Sequence, residues 1–425
     1  MATESESFCQ TDDESCEKLS DSEEELEECI VAPIDKLGVV GRWMRHRLLG
    51  SILMGTPPLV AIQRRRSPFR TTIMKINSFF GTEEFYTPLV CLMTWVIDAK
   101  LGRLICFLMG IGFYVAGFVK NLLCLPRPSN PPIVPLEPSS FETWGLPSHH
   151  AVLGVLIPWY IWLYSLLHFN FSQWQFITLF AVIVLWSVSV MFSRLYLGVH
   201  SPADIVVGGI IGCIILSIWV RADNFLDRSI SFGNNVIPQV IIYSIILLAV
   251  HPRPEAETNS FFETVCMTGV TVGFAIGRST IAKHSSIFKA VMESADESST
   301  WPAIAWVSLT RLVIGYALVM ITRAICKEVF MFLISLAYRV VDIEYFSGRK
   351  ITNYYFHTAY SSSFKLPPVE DQKSKRKIRK VKSRSENIRT KWNIDYPVRF
   401  LTYACMGWMC ICGNPLLCHS LGLTL

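Results

Sequence analysis

Three short stretches of this 425-residue chain hold side chains that could do chemistry together: KNLLCLPRP from Lys120 to Pro128, PSHH from Pro147 to His150, and SRLYLGVHSPAD from Ser193 to Asp204. They supply the cations Lys120, Arg127 and Arg194, the serines Ser148, Ser193 and Ser201, the histidines His149, His150 and His200, and Asp204. Phosphoryl transfer to a histidine needs this inventory. A phosphate monoester dianion is held by fixed cations and hydrogen-bond donors, more strongly at the transition state, where charge collects on the equatorial oxygens. Arg127 and Arg194 present planar forks that can bind two phosphate oxygens at once, Lys120 adds a point charge, and Ser148 with nearby backbone amides can donate further. A neutral imidazole attacks phosphorus if its other nitrogen is held by an acceptor. Asp204 lies one helical turn after His200 and can hold it. His150, at the N-terminal end of an apolar run, is placed to protonate the leaving alkoxide and then to activate water. No His, Asp and Glu cluster with dinuclear spacing accompanies the set, so the chemistry is expected to use neither a metal nor another cofactor.

Each residue alone has a plainer reading. Lys120 could snorkel at a helix end, Arg127 between two prolines could be a solvated loop charge, and Arg194 could anchor a membrane face. His200 could be a hydrogen-bonded structural histidine, and Asp204 an N-cap, a role compatible with orienting His200. The ordered set is hard to reach by accident.

The elements that must position these residues are apolar. The chain is 51% hydrophobic and 17% charged, with a mean hydropathy of +0.37, so most of it is expected in a bilayer. Apolar runs recur at Phe85 to Ile97, Leu104 to Val119, Ala151 to Leu167, Trp174 to Phe192, Ala203 to Val220, Val236 to Val250, Thr264 to Ile276, Ala303 to Thr322, Val329 to Val341 and Phe400 to Leu425. Several are short against the roughly 20 residues a perpendicular helix needs, which predicts an all-α, polytopic membrane protein of eight to ten spans. Lys120 to His150 precedes one span and Ser193 to Asp204 follows the next, so two crossings return the chain to the same face. All three stretches can therefore share one site.

Residues 1–40 form an acidic tail. Twelve Asp or Glu fall in the first 29 residues, with no apolar signal-peptide core, and this segment is expected to be disordered. Ser22, followed by three glutamates, could be an acid-directed phosphorylation site, although a plain solubilising tail is the better reading. Residues 41–225 read as the core carrying the three stretches, 226–364 as additional membrane helices, 365–395 as a basic loop and 396–425 as a terminal span. The thirteen cysteines lie mostly in or beside apolar runs without paired metal spacing and read as packing residues.

The spacing of the three stretches resembles the full tripartite signature of the type 2 phosphatidic acid phosphatase superfamily over roughly residues 80 to 225. Within it, KNLLCLPRPSNPP, GLPSHHA and the long extension after Asp204 look most like the sphingosine 1-phosphate phosphatases of the endoplasmic reticulum. The resemblance implies dephosphorylation of long-chain base phosphates, with His200 as nucleophile, His150 as acid and base, and Asp204 orienting His200. It also implies phosphate binding by Lys120, Arg127, Ser148, the backbone of His149, Ser193 and Arg194. The partners so implied are a phosphorylated sphingoid base and the bilayer, not nucleic acid. One departure stands out: His149 occupies a position that is commonly small in the superfamily, and its ring could narrow the pocket or compete with His150.

Sidedness follows from counting. Ten Lys or Arg lie between Lys373 and Lys391, a block expected in the cytosol. Five candidate spans separate His200 from it, which places the site in the lumen, as the resemblance also implies. Arg42 to Lys75 is basic too and argues the opposite, unless Leu48 to Gln63 enters the membrane despite Pro57 and Pro58. Asn170-Phe171-Ser172 is a glycosylation sequon on the face opposite the site. Arg311, inside an apolar run, could mark a substrate path or simply pair with another helix. A broad lipid or polyprenyl phosphate phosphatase would use the same residues. A transporter or scramblase would explain the spans but leave the polar signature without purpose.

Overall fold

The computed structural model describes residues 32–128, 132–137, 143–254, 258–283, 301–347 and 392–423. The tail with Ser22 and the block from Lys373 to Lys391 lie outside these residues. Among the described residues the protein is helical, with one two-stranded parallel pair of β1 (Tyr345–Phe346) and β2 (Trp392–Asn393).

Three short helices come first: α1 (Val39–Met54), α2 (Thr56–Gln63) and α3 (Pro68–Phe79). The bundle follows with α4 (Glu83–Leu92), continued by a π-helical turn at Met93–Ile97, then α5 (Ala99–Leu123), α6 (His149–His168), α7 (Gln173–Tyr196) and α8 (Pro202–Phe232). It is completed by α9 (Val236–Val250), α10 (Asn259–Lys283), α11 (Trp301–Val340), α12 (Asp395–Trp408), a second π-helical turn at Met409–Gly413 and α13 (Asn414–Ser420). Seven helical spans are long and apolar enough to cross a membrane, the last running unbroken through α12 and α13, and α9 is a shorter apolar helix. With α4 and its π turn, the described chain crosses the bundle nine times, within the eight to ten expected.

Local chemistry sets the helix ends that matter for the site. Asp98 caps α5, its Oδ1 accepting from the backbone of Lys100 at 2.7 Å and Leu101 at 3.0 Å. At the other end Cys124 closes α5 in the left-handed region (φ 46°), its N–H donating to Lys120 O. Ser201 and Asp204 form a reciprocal capping box at the start of α8, with Pro202 in the first turn. Gly208 and Gly212 let α8 approach α6: a Cβ at Gly208 would lie 2.9 Å from Ser148 O, and one at Gly212 would lie 3.0 Å from Val152 O. That approach permits the Ser148 N–H to donate to Asp204 O at 3.2 Å.

At the opposite end of the bundle, Arg103 of α5 makes a buried two-pronged ion pair with Asp227 of α8, at 3.1 and 3.2 Å from Nη2. Nearby, Tyr160 donates to Asp223 and Tyr164 to Asp98. These bonds join α5, α6 and α8 where the sequence shows only scattered polar residues in long apolar helices.

Two expectations are corrected. Ala303–Thr322 and Val329–Val341 are parts of one helix, α11. Arg323, Lys327 and Glu328 interrupt the hydropathy but are good helix formers, so the backbone continues. Four helices therefore separate His200 from the basic block, not five. Leu48–Gln63 does not cross either. Ala32 and Ile34 pack with Leu123, Leu125 and Trp144, while Gln63 bonds Val134 and the Tyr196 carbonyl, so both ends of the α1–α2 segment stay at the site's end. The chain leaves the described residues after Ser347, whose Oγ bonds Asp395, and returns at Trp392. Tyr396 packs on Phe261 and Phe262 at the start of α10, beside Asn259 and Glu263 of the site. The stretch Arg42 to Lys75 and the described residues on either side of 348–391 thus lie at the end that carries the site, and the helix count behind the lumenal expectation falls from five to four.

Candidate active site

Five helix ends converge on one cavity of about 300 Å³: the C-termini of α5 and α7 and the N-termini of α4, α6 and α10. Of the residues singled out in the sequence, Lys120, Arg127, His149, His150, Arg194 and His200 line it. Only α6 and α7 intervene between His150 and Arg194, as the order of the stretches required.

His200 sits on the turn between α7 and α8 and is 2% exposed. Its Nδ1 lies 3.2 Å from Asp204 Oδ2, which also accepts the Ser201 N–H at 2.8 Å. Because a carboxylate only accepts, the proton belongs on Nδ1, and the Nε2 lone pair is left available, 3.4 Å from Arg127 Nη1. Burial, followed by the charges of Arg127, Lys120 and Arg194, holds the His200 pKa well below the usual histidine range, so the ring stays neutral. A neutral ring with a fixed tautomer is competent for attack on phosphorus.

The three cations are held by the loops around them. Lys120 Nζ donates to the carbonyls of Trp144 (2.5 Å) and Gly145 (3.3 Å). Arg127 donates to Val199 O at 2.6 Å, Thr143 O at 3.0 Å and Thr143 Oγ1 at 2.8 Å. Arg194 Nη1 bonds Ser78 Oγ and pairs with Glu137 Oε2, both at 2.5 Å. His150 faces the turn between α3 and α4, where a Cβ on Gly81 would come within 2.8 Å of its ring. Its Nε2 is buried with no hydrogen-bond partner among the described residues.

Three predicted residues do not line the cavity. Asp204 stands behind His200, where an orienting group belongs. Ser148, the N-cap residue of α6, is fully buried behind the wall, its Oγ without a partner among the described residues. Ser193 spends its hydroxyl proton on Val190 O at 2.6 Å, one turn back in its own helix, so it has no donor to offer phosphate. Arg311 packs beside Cys418, away from the site.

Sequence reasoning missed the acidic half of the cavity: Glu83, Glu84, Glu137 and Glu263. Glu263 lies 3.4 Å from His149 Nδ1 across the helix interface. It also missed Arg45, which reads as one of many surface charges before the bundle. Arg45 is buried, bonds the carbonyls of Leu123 and Cys124 at the end of α5, and pairs with Asp35 at 2.7 Å. A cation there satisfies the open carbonyls of the helix that carries Lys120. Nothing in local sequence distinguishes these residues, because their partners lie far along the chain.

Residues 58–228 match the PAP2 superfamily. It is similar to a lipid phosphate phosphatase delta of Arabidopsis thaliana, 29% identical over 55% of this chain and 57% of that one. It is also similar to a probable sphingosine-1-phosphate phosphatase of Dictyostelium discoideum, 27% identical over 70% of this chain and 76% of that one. A human sphingosine-1-phosphate phosphatase 2 is 23% identical over 83% of this chain and 78% of that one. The match to the plant protein spans little more than half of that relative's length.

Neutral burial of histidine has a sign. Burial and Arg253 lower the pKa of His251 to about 4, its ring packed among Tyr114, Phe118 and Phe261. Below about 6.5 the unfolded chain takes up protons that the folded His200 and His251 refuse, so their contribution to stability is intact at neutral pH and falls on acidification. Thermal unfolding in detergent should shift to lower temperature as pH drops below about 6.5, less steeply in His251→Gln. The same steepness in both proteins would contradict neutral burial of His251.

Proposed function

We propose that this protein is a phosphoric monoester hydrolase that releases phosphate from lipid phosphates, with sphingosine 1-phosphate and related long-chain base phosphates as its substrates. The observation that carries the reading is one imidazole with its Nδ1 on a buried carboxylate and its Nε2 toward a cavity lined by Lys120, Arg127 and Arg194. The names of the relatives support the substrate class. The endoplasmic reticulum membrane is the compartment proposed, and neither metal nor organic cofactor takes part.

The reaction runs in two displacements. His200 Nε2 attacks phosphorus and the ester P–O bond breaks, while Lys120, Arg127 and Arg194 take up the charge on the phosphoryl oxygens. Asp204 holds the Nδ1 proton and stabilises the ring as it becomes charged. His150 gives a proton to the departing alkoxide. It then takes one from the water that attacks the phosphohistidine, which returns His200 to its neutral state and releases inorganic phosphate. An amphiphilic substrate suits this site, since the head can enter at helix ends while the tail stays beside lipid-facing helices.

With Arg42 to Lys75 and the described residues that flank the basic block at the site's end, the positive-inside tendency turns that face to the cytosol, against the lumenal expectation. Asn170 then stands in the lumen and should carry a glycan removable by endoglycosidase. A bare Asn170, together with glycan on a sequon introduced between His251 and Thr258, would restore the lumenal site.

His200→Ala should lower phosphate release roughly a thousandfold or more, and an acid-labile phosphoryl adduct should be trapped on wild-type protein but not on this variant. Unaltered turnover in His200→Ala sinks the mechanism. Activity should survive chelator. His150→Ala should lose roughly a hundred- to ten-thousandfold in turnover and His149→Ala far less. The reverse order would exchange their roles.

A further inference from the structure

We infer that Glu263, with His149, forms a subsite that reads a cationic group next to the scissile phosphate and so selects amino-bearing phosphate monoesters; this rests on the phosphatase reading above. A site that had only to hold a dianion gains nothing from carboxylates in its wall, because each repels the ligand. Glu137 is accounted for by its ion pair with Arg194. Glu263 acts electrostatically on Lys120 and also faces His149. It comes from α10, beyond the segment that matches the PAP2 superfamily, and it lines the same cavity as the three cations.

Its partner is the residue that departs from the superfamily pattern. His149 Nδ1 lies 3.4 Å from Glu263 Oε2, and the ring packs against Phe113 with centroids 5.2 Å apart. The His149 Nε2 is buried without a hydrogen-bond partner among the described residues. The ring thus brings a carboxylate to the N-terminus of α6, in the cavity that would take the phosphate. The Glu263 side chain is 29% exposed and His149 13%, so a ligand in the cavity can reach both.

A long-chain base phosphate carries its ammonium on the carbon next to the one bearing the phosphate ester. When the phosphate lies among Lys120, Arg127 and Arg194, that ammonium falls within the first ring of neighbouring groups, where Glu263 supplies the complementary charge. Phosphatidate and N-acylated long-chain base phosphates have no charge at that position. One cavity with a cationic part and an acidic part is therefore matched to a zwitterionic head.

The test compares one long-chain base phosphate with its N-acetyl derivative on full-length wild type, Glu263→Gln, Glu263→Asp and His149→Ala in detergent micelles. Glu263→Gln should lower kcat/KM for the free amine by roughly ten- to a hundredfold, mainly through KM, and leave the N-acetyl substrate within about twofold. Glu263→Asp should keep part of the preference, and His149→Ala should weaken it. Equal losses on both substrates would mean that Glu263 acts only in folding, and a wild type without preference for the amine would overturn the inference directly. A wild type that releases phosphate from neither substrate overturns the phosphatase reading, and the inference falls with it.

Discussion

Three cations stand side by side in the interior of a membrane bundle, and the architecture of the site follows from the need to compensate them. Lys120, Arg127 and Arg194 are 1%, 7% and 3% exposed, and a charge removed from water to that degree is tolerated only when its donors are satisfied. The loops supply the acceptors. Residues 143–145 wrap Lys120 and Arg127 with carbonyls, the turn before α8 adds Val199 O, and Ser78 with Glu137 holds Arg194. Carbonyl dipoles position Lys120 and Arg127 at the cavity wall.

Around these charges the bundle works as a positioning frame. Backbone approach at Gly208 and Gly212 brings α6 and α8 close enough for the Ser148 amide to reach the Asp204 carbonyl. The N-terminus of α6, with His149 and His150, is thereby tied to the turn carrying His200. At the far end, the Arg103–Asp227 pair and the tyrosine bonds hold α5, α6 and α8 together, so the loops around the cavity are steadied from the opposite end of the bundle. Arg45 adds a third restraint by capping α5 directly below Lys120.

The helices after α8 do more than extend the membrane region. α10 packs against α5 and α12, and its first turns contribute Asn259 and Glu263 to the cavity wall. A cationic core and an acidic wall from outside it together make a site with two charge characters. The same helices set the topology: α11 is continuous, and β1 and β2 close the intervening chain at the site's end.

The sequence alone determined the membrane class, the approximate number of crossings and the meeting of the three polar stretches, because hydropathy and span parity act locally and additively along the chain. The i, i+4 relation of His200 and Asp204 was also legible, being a property of one helical turn. Tertiary structure decided what depended on distant partners. It turned the Ser193 hydroxyl back onto its own helix, paired Arg194 with Glu137, buried Arg45 under α5 and brought Glu263 to His149. It also merged two apolar runs into α11, since charged helix formers break a hydropathy plot without breaking a backbone hydrogen bond, and that merger reversed the parity on which sidedness had been judged.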